Sequence, residues 1–212
     1  MKEEERIRLI ELGKREASLH DAGYTFIAGL DEAGRGPLAG PVVAAAVILA
    51  PDTLIEGLND SKKVSPKRRL VIESEIKERA LAWALGEASP EEIDTYNILH
   101  ATKMAMMRAI EGLGISPDYL LLDAILLPLD HQQESVIKGD EKIACIAAAS
   151  ILAKTARDRQ MENVDAQYPA YGFRQHKGYP TAMHRQVVLE VGPCPIHRKS
   201  FLGFVEKSKK GR

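Results

Sequence analysis

Cysteine is scarce in this chain of 212 residues, with only two. Cys145 lies in an apolar stretch that reads as a buried helix, and Cys194 in the loop Gly192-Pro193-Cys194-Pro195. Neither has CxxC spacing, which argues against a disulfide framework or a zinc knuckle. Excess charge is also lacking, since the formal net charge is −1. A nucleic-acid partner would have to be met by a local patch, because total charge is a weak guide to a small interface. No apolar run approaches the ~20 residues of a membrane span. The charged start Met1-Lys2-Glu3-Glu4-Glu5-Arg6 lacks the apolar core of a signal peptide. Internal repeats are missing. These absences predict a soluble cytoplasmic protein without a membrane partner.

What is present is ordinary for a globular chain, 45% hydrophobic and 28% charged. The length suits one domain able to bury its core without staples. The expectation is a single domain over 1–212, with an N-terminal helix in 1–22 and a helical and loop extension from about 166 to 212. Within the first helix, 3–20, Leu9, Leu12 and Leu19 share a stripe, while Ile7 and Ile10 fall to another side. Gly13 interrupts the pattern.

Strands are read over Phe26–Leu30, Val42–Leu49, Leu81–Ala88 and Asp118–Asp123, with a shorter fifth at Ser135–Lys138. The second is apolar on both faces, as a central strand should be. Ser65-Pro66 and Ser89-Pro90 each combine an N-cap with proline at the first helical position. They head helices running to about Arg79 and to near Gly112. A further helix runs from Glu141 to about Asp165 with a small-residue face, and another from Thr181 to Val191. Early strands followed by strand–helix alternation predict a mixed sheet flanked by helices. The segment 200–207 leads to a basic, frayed tail at 207–212.

Two apolar strands end in acids, at Asp31 and at Asp123. If the strands are neighbours, ~4.8 Å apart, those carboxylates meet at the sheet edge. Glu32 can join them only if the chain leaves the strand there, because consecutive strand residues point to opposite faces. Asp140 is a fourth acid; taken alone it reads as a helix N-cap. Clustered acids without histidine or cysteine at ligand spacing favour hard cations such as Mg²⁺ or Mn²⁺ over zinc. Two such ions ~4 Å apart can assist phosphodiester cleavage. His176, His184, His197 and Cys194 match no zinc spacing.

Gly34-Arg35-Gly36-Pro37-Leu38-Ala39 formally matches a dinucleotide fingerprint. That fingerprint must open a helix, and Pro37, Gly40 and Pro41 interrupt one, so an oxidoreductase is disfavoured. Glycines let backbone amides approach a ligand, and Arg35 can pair with phosphate; an exposed hairpin turn is the plain alternative. Ser61-Lys62-Lys63 and Lys67-Arg68-Arg69 could contact phosphates, although a solvated helix face explains the latter equally well. The loop Phe173–Pro180 mixes aromatic, basic and glycine residues in a way that suits stacking on a sugar or base.

Asp31-Glu32-Ala33-Gly34-Arg35-Gly36-Pro37, followed by Ala39-Gly40-Pro41-Val42, resembles bacterial type 2 ribonuclease H, the ribonuclease HII family. So do Asn59-Asp60-Ser61-Lys62, Lys138-Gly139-Asp140, Ala147–Lys154 and His176-Lys177-Gly178-Tyr179, in family order. The resemblance implies an α/β ribonuclease H-like fold: a mixed five-stranded sheet flanked by helices, with a helical C-terminal segment. It also implies a Mg²⁺- or Mn²⁺-dependent endonuclease that cuts the RNA strand of RNA–DNA hybrids. Single ribonucleotides embedded in duplex DNA would be cut on their 5′ side, leaving 3′-hydroxyl and 5′-phosphate ends and removing misincorporated ribonucleotides. By motif, Asp31, Glu32, Asp123 and Asp140 would be the catalytic, metal-binding acids. Asp123-Ala124 departs from the Asp-Gly of many bacterial members. Gly34, Arg35 and Gly36 would contact the ribose 2′-hydroxyl and nearby phosphates, Lys62 would help hold phosphate, and Tyr179 would pack on the junction sugar. A monomer without a clear clamp-binding motif is expected. Another nuclease of the same fold and a non-catalytic nucleic-acid-binding module are the competing readings.

Overall fold

A computed structural model of the chain describes residues 1–205; the basic tail expected at 207–212 lies outside the described residues. Five strands form one mixed sheet: β1 (Ile27–Ala33), β2 (Val42–Leu49), β3 (Ala80–Ala88), β4 (Tyr119–Asp123) and β5 (Gln132–Val136), in the order β3-β2-β1-β4-β5. β2 runs antiparallel to both β1 and β3, while β4 pairs parallel to β1 and β5 parallel to β4. This is the mixed five-stranded sheet expected from the sequence.

Helices cover both faces. On one lie α1 (Glu3–Leu12), α2 (Lys14–Asp21), α3 (Pro66–Arg79) and α5 (Ala144–Gln167); on the other lies α4 (Pro90–Glu111). Strand alternation explains the division. Ile27, Ala45, Val47 and Leu121 face α5, whereas Ala28, Leu30, Ala46 and Leu122 face α4. Each fully buried leucine or isoleucine, such as Leu30 or Ile48, contributes about 1.5–3 kcal/mol. The small-residue face of α5 allows close approach: a Cβ at Gly29 would stand 2.2 Å from the Cys145 carbonyl carbon. Local caps agree with the packing. Ser65 accepts from the Arg68 N–H, and Ser89 forms a reciprocal capping box with Glu92.

Several boundaries differ from expectation. The first helix divides at Gly13 into α1 and α2. Leu9, Leu12 and Leu19 are buried and Ile7 and Ile10 exposed, as the stripe required. β5 begins at Gln132 rather than Ser135; its polar sequence Gln-Gln-Glu-Ser-Val carries no periodic apolar signal. α5 begins at Ala144, after a 3-10 turn over Gly139–Glu141, so Asp140 sits inside that turn and is not the helix N-cap.

The C-terminal part continues with a short helix, α6 (Phe173–His176), and α7 (Ala182–Val191). Phe173, Tyr171, Val188 and Leu202 pack on Leu38 and Ala39, the residues that follow the glycine loop. No helix among the described residues is long and apolar enough to cross a membrane.

Candidate active site

β1 and β4 fork at their carboxyl ends. Parallel pairing stops at Leu30↔Leu122, while β1 stays paired with β2 through Ala33↔Val43. The strand therefore does not end at Glu32, contrary to the condition set by simple alternation. Beyond Leu30 the β4 side of β1 is open, and the acids collect at that opening, outside the carboxyl ends of parallel strands.

Asp31 is buried, and its Oδ1 accepts from the Glu32 N–H at 2.7 Å. Burial, reinforced by the charges of Glu32 and Asp123, pushes its pKa well above the ordinary value. Burial also raises the Glu32 pKa, against the lowering influence of Arg35. Glu32 Oε1 lies 3.4 Å from Arg35 Nη1, and its buried Oε2 has no hydrogen-bond partner. Asp123 Oδ1 accepts from the Gly139 N–H at 2.8 Å, which fastens the end of β4 to the turn that carries Asp140. The Asp140 pKa rises to about 6, through burial first and then the nearby charges of Asp60 and Asp123. Lys62 Nζ stands 3.8 Å from both Asp60 Oδ1 and Asp140 Oδ2. Burial acts to lower the Lys62 pKa, but Asp60, Asp140, Asp31 and Asp123 together raise it.

These are carboxyl groups held together against their mutual repulsion, with one buried oxygen left idle. An all-oxygen donor set of this kind suits a hard divalent cation. Among the described residues no three acidic, histidine or cysteine side chains already form a closed ligand cage. The reason is visible in the pairings: Glu32 turns towards Arg35, Asp140 towards Lys62, and one oxygen each of Asp31 and Asp123 is engaged by a backbone N–H.

Beside the acids a cleft of ≈ 750 Å³ is lined by Glu32, Gly34, Arg35, Gly36, Lys62 and Tyr179, among others. Gly34 has φ +101°, and a Cβ there would fall 2.2 Å from Arg157 Nε, so both its conformation and its surroundings demand glycine. Tyr179 is 40% exposed and borders the cleft.

Two functional supports were not foreseen as such. Arg198, fully buried, donates to the carbonyls of Gly34, Arg35, Pro37, Gly40 and Pro41. Arg157 donates to Ala39, Pro41 and Lys177. These guanidiniums fix the glycine loop and tie it to the loop of Tyr179. Asp60, buried next to Asp140, is a further acid beyond the four expected. Its place in Asn59-Asp60-Ser61-Lys62 was the available signal.

Comparisons with known proteins agree with one another. The family model described as Ribonuclease HII matches residues 28–203. Ribonuclease HII of Vibrio vulnificus is 58% identical over 182 residues, covering 84% of this chain and 87% of that protein. The Vibrio parahaemolyticus protein of the same name is 57% identical over 180 residues, with 84% and 85% covered. Among solved structures, the ribonuclease H2 from Pyrococcus horikoshii superimposes with a TM-score of 0.72 at 26% identity, covering 88% of this chain and 98% of that one.

Proposed function

The chain belongs to the ribonuclease HII family and is an endoribonuclease of the ribonuclease H type, and we propose that it cuts RNA–DNA hybrids and duplex DNA at embedded single ribonucleotides. The cut falls 5′ of the ribonucleotide and leaves 3′-hydroxyl and 5′-phosphate ends. The reaction serves to remove misincorporated ribonucleotides. The protein acts in the cytoplasm as a monomer, and the whole chain works as one catalytic unit. The observation that carries this reading is one junction: Glu32, with a buried carboxylate oxygen left unpartnered, lines the same cleft as Gly34, Gly36 and Tyr179.

Asp31, Glu32, Asp123 and Asp140 would hold Mg²⁺ or Mn²⁺. Such ions supply charge neutralisation at the phosphodiester and a more acidic water at neutral pH. The remaining work belongs to the chain. Gly34 and Gly36 present backbone without side chains, so the loop can approach the ribose 2′-hydroxyl, the group that separates RNA from DNA. Arg35 and Lys62 meet phosphates, and leave Glu32 and Asp140 free as they do so. Tyr179 packs against the junction sugar and fixes where along the strand the sugar read-out occurs. Reading the sugar beside the acids couples recognition to the bond that breaks, without reading base sequence.

The test is a duplex with one ribonucleotide, incubated with Mg²⁺ or Mn²⁺ beside an all-DNA control of the same sequence. Cleavage 5′ of the ribonucleotide with an intact control is expected. Equal cutting of both duplexes removes the 2′-hydroxyl reading.

A further inference from the structure

The cleft extends beyond the residues assigned to sugar and scissile phosphate. Its lining contains five cationic side chains, Arg35, Lys62, Lys63, Arg69 and Lys154, against the single acid Glu32. For a chain of net charge −1 this concentrates cations in one lining, where Lys62 is met by Asp60 and Asp140, Lys63 by Glu141, and Arg69 and Lys154 by the one carboxylate of Asp158.

Arg69 is its least expected member. It is 8% exposed, near the positive end of α3. Its Nη2 lies 3.3 Å from Asp158 Oδ2, but Nε and Nη1 have no hydrogen-bond partner. Buried guanidiniums are ordinarily satisfied all round. Lys154 Nζ is 2.6 Å from the other oxygen of the same carboxylate and 5.8 Å from the Tyr179 ring centroid. Two cations thus share one anion and leave one positive charge uncompensated where solvent screens weakly. Other cations nearby are spent: Arg159 and Lys77 both pair with Glu73, at 3.0 and 2.6 Å. The idle Nε and Nη1 are covered, so what Arg69 and Lys154 offer the cleft they line is the net charge of the pair.

We propose that Arg69 and Lys154, oriented by Asp158, form a second phosphate subsite that takes a backbone phosphodiester of the bound duplex away from the four acids. This rests on the reading that the cleft holds nucleic acid. The subsite has a use there. A phosphate held on the Tyr179 side would orient the duplex and hold its register over the acids while carrying no sequence information.

The experiment is equilibrium binding of a fluorescent all-DNA duplex and of a single-ribonucleotide duplex, with chelator to prevent cutting, across a salt series. Arg69→Gln and Lys154→Gln are each expected to weaken binding of both duplexes about tenfold and to lower the slope of log K against log salt by about one. Asp158→Asn, which breaks the same ion pairs but keeps both cations, should bind at least as tightly as the parent. A folded Arg69→Gln with an unchanged slope, or an Asp158→Asn that loses as much binding as Arg69→Gln, overturns the proposal. Should Arg69→Gln fail to fold, an unchanged slope in Lys154→Gln overturns it equally. A parent protein that binds duplex with the expected slope but cuts no ribonucleotide would sink the proposed reaction and leave the subsite standing.

Discussion

Two clusters of buried polar side chains flank the loops of the cleft, and they are completed in opposite ways. At the fork of β1 and β4 the acids crowd one another, Asp31, Glu32 and Asp140 have raised pKa values, and Glu32 Oε2 is idle. In the C-terminal cluster, His176, His184 and His197 stack and bond among themselves. His197 Nδ1 accepts from the Cys194 N–H at 3.0 Å, so its Nε2 carries the proton and donates to His184 Nε2, also at 3.0 Å. His184 then holds its own proton on Nδ1 and donates to the Tyr179 carbonyl at 2.9 Å. His176 Nδ1 accepts from the Gly178 N–H and its Nε2 donates to the Tyr171 carbonyl. Every ring nitrogen is used, and burial disfavours the charged form of His184 and His197. The first cluster asks for a cation; the second is a finished strut that sets the backbone of Tyr179. Satisfaction of buried polar atoms, more than residue type, separates the two.

The sharpest way to break that contrast is to neutralise an acid. Asp31→Asn or Asp123→Asn should lower cleavage by at least about 10²-fold, the scale of losing one group that stabilises transition-state charge. Melting in chelator should be unchanged or higher for Asp31→Asn, because the substitution removes like-charge repulsion. Near-normal turnover in either variant would take that residue out of the site.

Gly34→Ala comes next. The new Cβ meets Arg157 Nε, and φ +101° is strained for alanine. The loop must shift, and with it the Arg198 bonds to Gly34, Arg35 and Pro37. A loss of about 10²-fold in activity is expected, the scale of a ~1 Å misplacement. It should be accompanied by a lower melting temperature, which the acid variants would not show.

Tyr179→Ala should act on selectivity. The side chain is 40% exposed, so little stability depends on it. Loss of stacking is worth about 1–3 kcal/mol, and should appear as a reduced ratio of cleavage at single ribonucleotides to cleavage of long hybrids. An unchanged ratio would return Tyr179 to the role of a packed hydrophobe.

Much of this arrangement was legible in the sequence because it depends on local pattern. The apolar runs ending in Asp31 and Asp123 located the fork, and the caps at Ser65 and Ser89 located two helices. The leucine stripe identified the buried side of α1 and α2. What escaped depends on distant partners. Arg157 and Arg198 look like surface charges until carbonyls 116 to 164 residues away are brought to them. The polar strand β5 is defined by its pairing with β4 rather than by its own composition. The histidines were set aside on spacing, yet the fold assembles His184, His197 and Cys194 regardless of spacing. The assignment of catalytic and substrate-binding roles still rests on motif and on the chemistry of the cleft.

The smallest effect concerns the finished cluster and is read through pH. Burial, aided by the neighbouring His184 and opposed by the Cys194 backbone, lowers the His197 pKa from 6.5 to about 4. Burial lowers that of His184 as well. A depressed histidine means that the unfolded chain binds the proton more readily than the native one. The stability contributed by the neutral cluster is therefore complete above about pH 6.5, and is lost progressively as pH falls towards about 4. The fork behaves with the opposite sign: acids with raised pKa values disfavour the native state more as pH rises, most steeply for Asp140 up to about 6. In metal-free buffer the two trends oppose each other over the same window. Replacing His197 by asparagine should remove its part of the histidine contribution, so that acidification from about pH 6.5 to about 5 leaves the melting temperature higher relative to its starting value than in the parent. Replacing Asp140 by asparagine should shift the response the other way, with a lower melting temperature after the same acidification, relative to its starting value, than in the parent. If both variants keep the parent's pH profile, neither cluster titrates as its burial requires, and the contrast between an unfinished site and a finished strut would have to rest on hydrogen bonding alone.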